Sequence, residues 1–545
     1  MSQQFEIDHL GQAPTPAPDV PGARRGGRVT LLADAPPEHV DPTQMYIGTT
    51  LGVATGLFHR TLTGYQESYD GGPRRLVGDL ATDTGRTTDG GRTWTYTLRE
   101  GLKFEDGTPV TSYDVAHAIT RSFGPNGVYG PQFIQQALDP ERGYRGPEED
   151  GPQAPGLSTP DERTIVFSLP EPTPGFPFFA TTTTTTPVPR DRDTGADYET
   201  SWLATGPYKV KEHVPGETGH YLLERNPHWD PATDPIRHQY PDEIFWEFGV
   251  ARDRQTERLL DPAGQDRFAV ATFDVADAHV ATVQGDERLM SRVIAGPSAY
   301  LQYVYINTRR VTDVDVRRAL NFAFDRGTCV ELAGGTAGAQ YATTILAPMV
   351  PGYRHHDVYP SGEHGDPVKA KELLAGKELR PLVFAYPDTL PNAPVAPAVK
   401  TALEAAGFEI VLRPVDKAAF YSLMGDAEND CDLIYGVWGP DFPDASGVFD
   451  VLFRGDRLTA RGNMNLSYFD DPEITAEIAR LAQEPDRAAV AEGYAELDRR
   501  LMAEHAPVVP VYYKRQFTLF GPGVGGLFLS GQYFVPNLTR VHVVA

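Results

Sequence analysis

The stretch LIYGVWGPDFPD, residues 433–444, decides how this chain is read. Its first six residues form an apolar run suited to a buried strand. The run leads into a loop that holds two prolines, two aspartates and a phenylalanine. Outward from it the pattern alternates. Residues 382–386 (LVFAY) predict a strand, and 394–406 predict a helix with Gly407 at its C′ position. Residues 408–412 predict a strand, 417–424 a helix, and 433–438 the last strand. This β-α-β-α-β order predicts a parallel sheet with helices packed on it. Ligands of such sheets sit beyond the carboxyl ends of the strands. Asp441 stands there, in a proline-stiffened loop beside Trp438 and Phe442.

The residues alone leave two partners open for Asp441. One is a ligand ammonium, which would restore a charge-assisted bond to a carboxylate partly dried by aromatic rings. The other is a lysine or arginine of the protein itself. Asp444 reads as the structural member of the pair, because an Asp after Pro can accept from nearby backbone N–H groups.

At about 150 residues per domain, 545 residues give three or four domain-sized units or two large lobes. The net charge of −25 argues against nucleic acid, whose phosphates call for Lys and Arg. The only cysteines, Cys329 and Cys431, lie in no metal-binding spacing and are expected to be buried thiols. No apolar run approaches the roughly 20 residues of a membrane-spanning helix. Residues 1–27 read as a disordered Pro/Ala-rich leader.

The N-terminal half predicts a strand near 27–32 and a Gly/Thr-rich segment at Tyr46–Thr50, followed by a helix through Phe58. A hairpin turns at Asp89-Gly90-Gly91. Thr111 and Asp114 form a capping-box pattern ahead of a helix with Val115, Ile119 and Phe123 on one face. Residues 124–160 are expected to be looped, 164–169 a strand, and the threonine run 181–186 a surface or strand-edge segment.

Catalytic patterns are missing: there is no GxSxG, HExxH or GxxxxGK[ST]. The glycines of a literal GxGxxG at 521, 523 and 526 read as a turn, because no βαβ unit surrounds them. His355, His356 and His364 could ligate a metal, but their Pro/Gly/Tyr-rich setting favours an exposed loop.

Several segments together resemble one family. LREGLKFEDGTPV (98–110), TGPY (205–208), YINT (305–308), VRRALNFAFDR (316–326), DPVKAKELL (366–374), the 438–444 loop and APVVP (506–510) follow one another in its order. The family is the extracellular solute-binding proteins of the peptide/nickel type, family 5, receptors of ABC importers.

The resemblance implies an α/β, two-lobed periplasmic-binding-protein fold (Venus flytrap, class II type) with an extra N-terminal subdomain. Its expected boundaries are an N-terminal lobe over 28–305 with an inserted subdomain near 75–200, a C-terminal lobe over 306–510, and a return to the first lobe over 511–545. It implies a short peptide or peptide-like amine held between lobes that close by a hinge. It gives Asp441 the peptide's α-ammonium and makes Trp438, Phe442 and Tyr435 its neighbours. Tyr46, Gly48 and Thr49 become the N-lobe wall, which pairs with an extended peptide as a strand would.

It also implies ABC permease subunits as partners, a monomer, no cofactor, and an extracellular lipoprotein whose export signal is trimmed. The Gly/Pro/Arg/Ala-rich composition suits a high-GC actinobacterium. Two alternatives stand beside it: a cytoplasmic biosynthetic enzyme or accessory protein on the same fold, and a nickel or metal-chelate receptor resting on the three histidines.

Overall fold

A computed structural model describes residues 5–7, 13–67, 74–127, 129–389, 392–417, 419–530, 533 and 535–544. The chain forms two compact units. Unit 1 takes the chain up to Ala295 and again from Phe517, and unit 2 is Gly296–Gln516. The chain passes from one to the other within the strands Val293–Ile306 and Val508–Leu519.

Unit 1 is built on a five-stranded sheet ordered Ala269–Ala271, Arg28–Leu32, Glu243–Glu247, His220–Arg225, Tyr208–Val214. The first three strands run parallel and the rest antiparallel. Its inner face buries Val29, Leu31, Ile244 and Trp246 against Val53, Ala54 and Leu57 of the helix Gly48–Leu57. A second core lies around the strands Thr93–Thr97, Thr164–Ser168 and Leu157–Asp161 and the helix Ser112–Arg121. That helix opens on the expected capping box, since the Asp114 carboxylate accepts from the Thr111 N–H at 2.7 Å. It ends at Arg121, so Phe123 lies past it.

Three expectations for unit 1 need correction. The leader is not disordered over 13–27. Ala13 and Ala17 are buried, and the Ala17 and Gly26 N–H groups donate to the carbonyls of Asp234 and Tyr240. Extended Pro-rich chain has no internal hydrogen bonds, so its N–H groups are available to the surface it lies on. Residues 124–160 are not one loop. They contain the helices Phe133–Leu138 and Pro147–Asp150 and the strand Leu157–Asp161. The threonines at 183–186 are buried, not superficial. Threonine tolerates burial when its hydroxyl bonds back to the main chain, as Thr185 does to the Ala180 carbonyl at 2.9 Å.

The glycine turn near 521 has a packing reason. A Cβ on Gly521 would lie 2.4 Å from the Arg267 carbonyl oxygen.

His59 sits in the unit 1 core, between Phe58 and Trp202, with Nε2 3.2 Å from the Val40 carbonyl. Burial pulls its pKa down to about 4, against smaller upward pushes from the Val40 bond and Asp41. The unfolded chain therefore takes up a proton at higher pH than the folded chain. Stability from this group is complete above about pH 6.5 and is lost toward pH 4, by about 3 kcal/mol. Thermal unfolding followed from pH 7 to 4.5 should show a shallower pH slope for His59→Gln than for wild type.

Unit 2 holds a six-stranded sheet ordered Ala339–Tyr341, Val508–Leu519, Val293–Ile306, Leu433–Trp438, Leu382–Pro387, Ile410–Val415. The last three strands are parallel, as the β-α-β-α-β pattern predicts. The sheet as a whole is mixed, because Val293–Ile306 runs antiparallel to Leu433–Trp438. The helix Val395–Ala405 ends at Gly407, whose φ of +101° is natural for a C′ glycine. Two cores cover the two faces of the sheet. Cys329 and Cys431 are both buried and unbridged.

Candidate functional site

The Leu433–Trp438 strand delivers the candidate loop. Side chains alternate along it. Leu433 and Tyr435 enter one core, while Ile434 and Trp438 pack on the other. Tyr435 and Trp438, both expected as neighbours of Asp441, therefore lie on different faces of the sheet. Tyr435 is 3% exposed, stacks edge-on toward Phe384, and lies on the opposite face.

Past the strand the loop is pinned at several points. The Trp438 indole N–H donates to the Gly447 carbonyl at 2.9 Å. Gly439 and Gly447 are glycines for a steric reason. A Cβ on Gly439 would meet the Tyr300 ring at 2.4 Å, and one on Gly447 would meet Pro440 Cβ at 2.9 Å. Phe442 is buried, with its ring close to Gly447. Asp444 accepts from the Ser446 N–H at 2.9 Å and forms an ion pair with Arg487, from the helix Arg487–Arg500. The structural role expected of Asp444 is what the geometry gives it; its arginine partner could not be read from the sequence. Asp441 is half-buried between these fixed neighbours.

On unit 1, Tyr46 and Ile47 are both exposed, at 41% and 48%. They lead into the helix Gly48–Leu57, where Gly48 and Thr49 are the first two residues and are half-buried. No side chain caps this helix start. The far end of the helix is fixed by the TGPY segment. The N–H groups of Thr205 and Gly206 both donate to the Phe58 carbonyl, and a Cβ on Gly206 would come 2.8 Å from the Phe58 carbonyl carbon.

The histidines do not converge. His356 faces Asp498 at 3.2 Å, and His364 faces Asp325 at 3.0 Å. Among the described residues, no group of three or more His, Cys, Asp or Glu is placed to hold a metal.

A family model described as "Bacterial extracellular solute-binding proteins, family 5 Middle" matches residues 75–459. The chain is 25% identical to the probable D,D-dipeptide-binding periplasmic protein of Escherichia coli K12, over 88% of this chain and 87% of that protein. Among solved structures, the clavulanic acid biosynthesis oligopeptide binding protein 2 superposes with a TM-score of 0.89 at 32% identity, covering 98% of this chain and 99% of that one. The Escherichia coli murein tripeptide binding protein MppA superposes with a TM-score of 0.75 at 20% identity, covering 96% and 100%. These likenesses place the chain in the α/β fold class of the two-lobed binding proteins.

Proposed function

We propose that this chain, which belongs to the bacterial extracellular solute-binding proteins of family 5, captures short peptides or peptide-like amine-bearing metabolites and passes them to the membrane subunits of an ABC importer. One observation carries the choice of anchor. The loop after Leu433–Trp438 is pinned by the Trp438 indole bond to the Gly447 carbonyl and by the Asp444–Arg487 ion pair, and it carries the half-buried Asp441 beyond the carboxyl end of the strand. In this reading Asp441 receives the ligand α-ammonium, and Trp438 shields the pair from water. A carboxylate with low solvent exposure gains most from a charged hydrogen-bonding partner. Phe442 is buried in the loop beside it. Tyr46, Gly48 and Thr49 are further candidate ligand-binding residues. Ligand recognition largely through main-chain groups accommodates many side chains.

The protein binds its guest without altering it, and works outside the cytoplasmic membrane, tethered by a lipid anchor. Relatives named for dipeptide, tripeptide and oligopeptide binding support the ligand class. Calorimetric titration with tri-alanine and N-acetyl-tri-alanine tests the anchor. The free peptide should bind saturably and the acetylated one at least about 30-fold more weakly, the equivalent of about 2 kcal/mol. Equal affinities would remove Asp441 from the role.

A second reading has a specific observation behind it. The 32% identical structure, matched over nearly the whole of both chains, is named for clavulanic acid biosynthesis. A role in making a small molecule, on the same binding fold, follows that name. Conversion of a candidate precursor by the purified protein would establish it.

A further inference from the structure

We propose that Tyr421 limits how far a bound peptide can pair its main chain with unit 2, by capping one edge of the Leu433–Trp438 strand. The inference rests on the peptide-binding reading above and deepens it.

The strand pairs along its whole length with Val293–Ile306, from Leu301 opposite Trp438 to Ile306 opposite Leu433. On its other side, among the described residues, Leu382–Pro387 meets it only at Phe384 opposite Leu433 and Ala385 opposite Ile434. Among the described residues, no strand pairs with that edge past Ile434, just before the loop that carries Asp441. In a strand the N–H and C=O of one residue point the same way and alternate from residue to residue.

Both groups of Val437 are taken by one side chain. The Val437 N–H donates to the Tyr421 hydroxyl oxygen at 3.3 Å, and that hydroxyl donates to the Val437 carbonyl at 3.3 Å. The carbonyl of Gly436 is taken from a different side chain, by Gln302 Nε2 at 2.7 Å. One hydroxyl thus satisfies the donor and the acceptor that an added strand would use.

Tyr421 is well placed to act as a removable cap. It sits on the short helix Phe420–Met424, whose Phe420 and Met424 are buried and hold the helix down. Tyr421 itself is 38% exposed. A Cβ on Gly436 would press on the Tyr305 ring at 3.0 Å, and at 3.7 Å it would only touch the Tyr421 hydroxyl. A peptide that adds along this edge must displace the phenol, which can then turn to water. The displacement exchanges hydrogen bonds, so its effect on affinity is modest, about 3- to 10-fold. Ligands too short to reach Val437 do not meet the cap.

The test compares wild type, Tyr421→Phe and Tyr421→Ala in calorimetric titrations with di-, tri- and tetra-alanine. Tyr421→Phe keeps the ring and frees the Val437 groups. It should bind tri- and tetra-alanine about 3- to 10-fold more tightly, with di-alanine changed less than about twofold. Tyr421→Ala should show the same length profile. In the unliganded protein, the Val437 amide should exchange with solvent faster in Tyr421→Phe than in wild type. Equal changes at every length, or unchanged exchange at Val437, would overturn the cap. If wild type binds none of the alanine peptides, the peptide-binding reading falls and takes this inference with it.

Discussion

Asp441→Asn weakens tri-alanine binding by about 2–5 kcal/mol, a loss of about 30- to several-thousand-fold in affinity. The substitution keeps the size of the side chain and removes its charge, so a ligand ammonium is left without its counter-ion. N-acetyl-tri-alanine, already lacking that ammonium, should bind wild type and variant alike. Asp444→Asn makes the contrast. Asp444 is 4% exposed and engaged with Arg487 and the Ser446 N–H, so its loss should lower stability and loosen the loop. It should weaken free and acetylated peptides together, without the amine selectivity of Asp441→Asn. An Asp441→Asn protein that still prefers the free amine would contradict the assignment.

The second large effect concerns stability. Four charged side chains lie together in unit 1, each no more than 3% exposed: Arg60, Asp79, Asp234 and Arg237. Asp79 accepts from Arg60 at 2.8 Å and from Arg237 at 2.8 Å. Asp234 is pushed up by burial, but Arg60 and Arg237 outweigh this and hold it well below the usual carboxylate range. Removing Asp79 leaves two buried guanidinium groups sharing the one remaining carboxylate, Asp234.

Asp79→Ala should therefore cost about 3–5 kcal/mol of unfolding free energy. Breaking the exposed pair Arg354–Glu492, whose side chains are more than half exposed, by Glu492→Ala should cost far less. Denaturant melting followed by tryptophan fluorescence suits the comparison. Four of the five tryptophans, Trp94, Trp202, Trp229 and Trp246, belong to unit 1. Similar losses for the two variants would mean that the buried cluster does not behave as one ion network.

The segments that made the family legible turn out to hold the scaffold together. Arg99 of LREGLKFEDGTPV donates to the Asp79 and Gly78 carbonyls. Asn307 of YINT donates to the Cys431 carbonyl, and Arg317 of VRRALNFAFDR to those of His505, Val311 and Thr312. Asp366 of DPVKAKELL caps its own helix by accepting from the Lys369 N–H. Such roles demand particular residues at particular spacings, which is why they can be read from a sequence.

The candidate site was legible only in part. Asp441 could be placed past the end of a strand because hydrophobic periodicity locates the strand. The opposite facing of Tyr435 and Trp438 follows from that same period, yet grouping residues by proximity along the chain hides it. Arg487 and Tyr421 carry no pattern of their own. Each reaches the loop or its strand through packing between elements distant in sequence. The antiparallel course of Val293–Ile306 was equally hidden, since its neighbours are set by where the chain enters unit 2.

Native mass spectrometry of the protein purified from its source organism, followed by identification of what it releases on denaturation, tests whether the protein holds an amine-bearing guest. The expected guest is a non-covalently bound, chemically intact short peptide or peptide-like molecule with a free amino group, lost from Asp441→Asn. A released molecule without a free amine, or one converted to a new product during incubation with the protein, would contradict this reading.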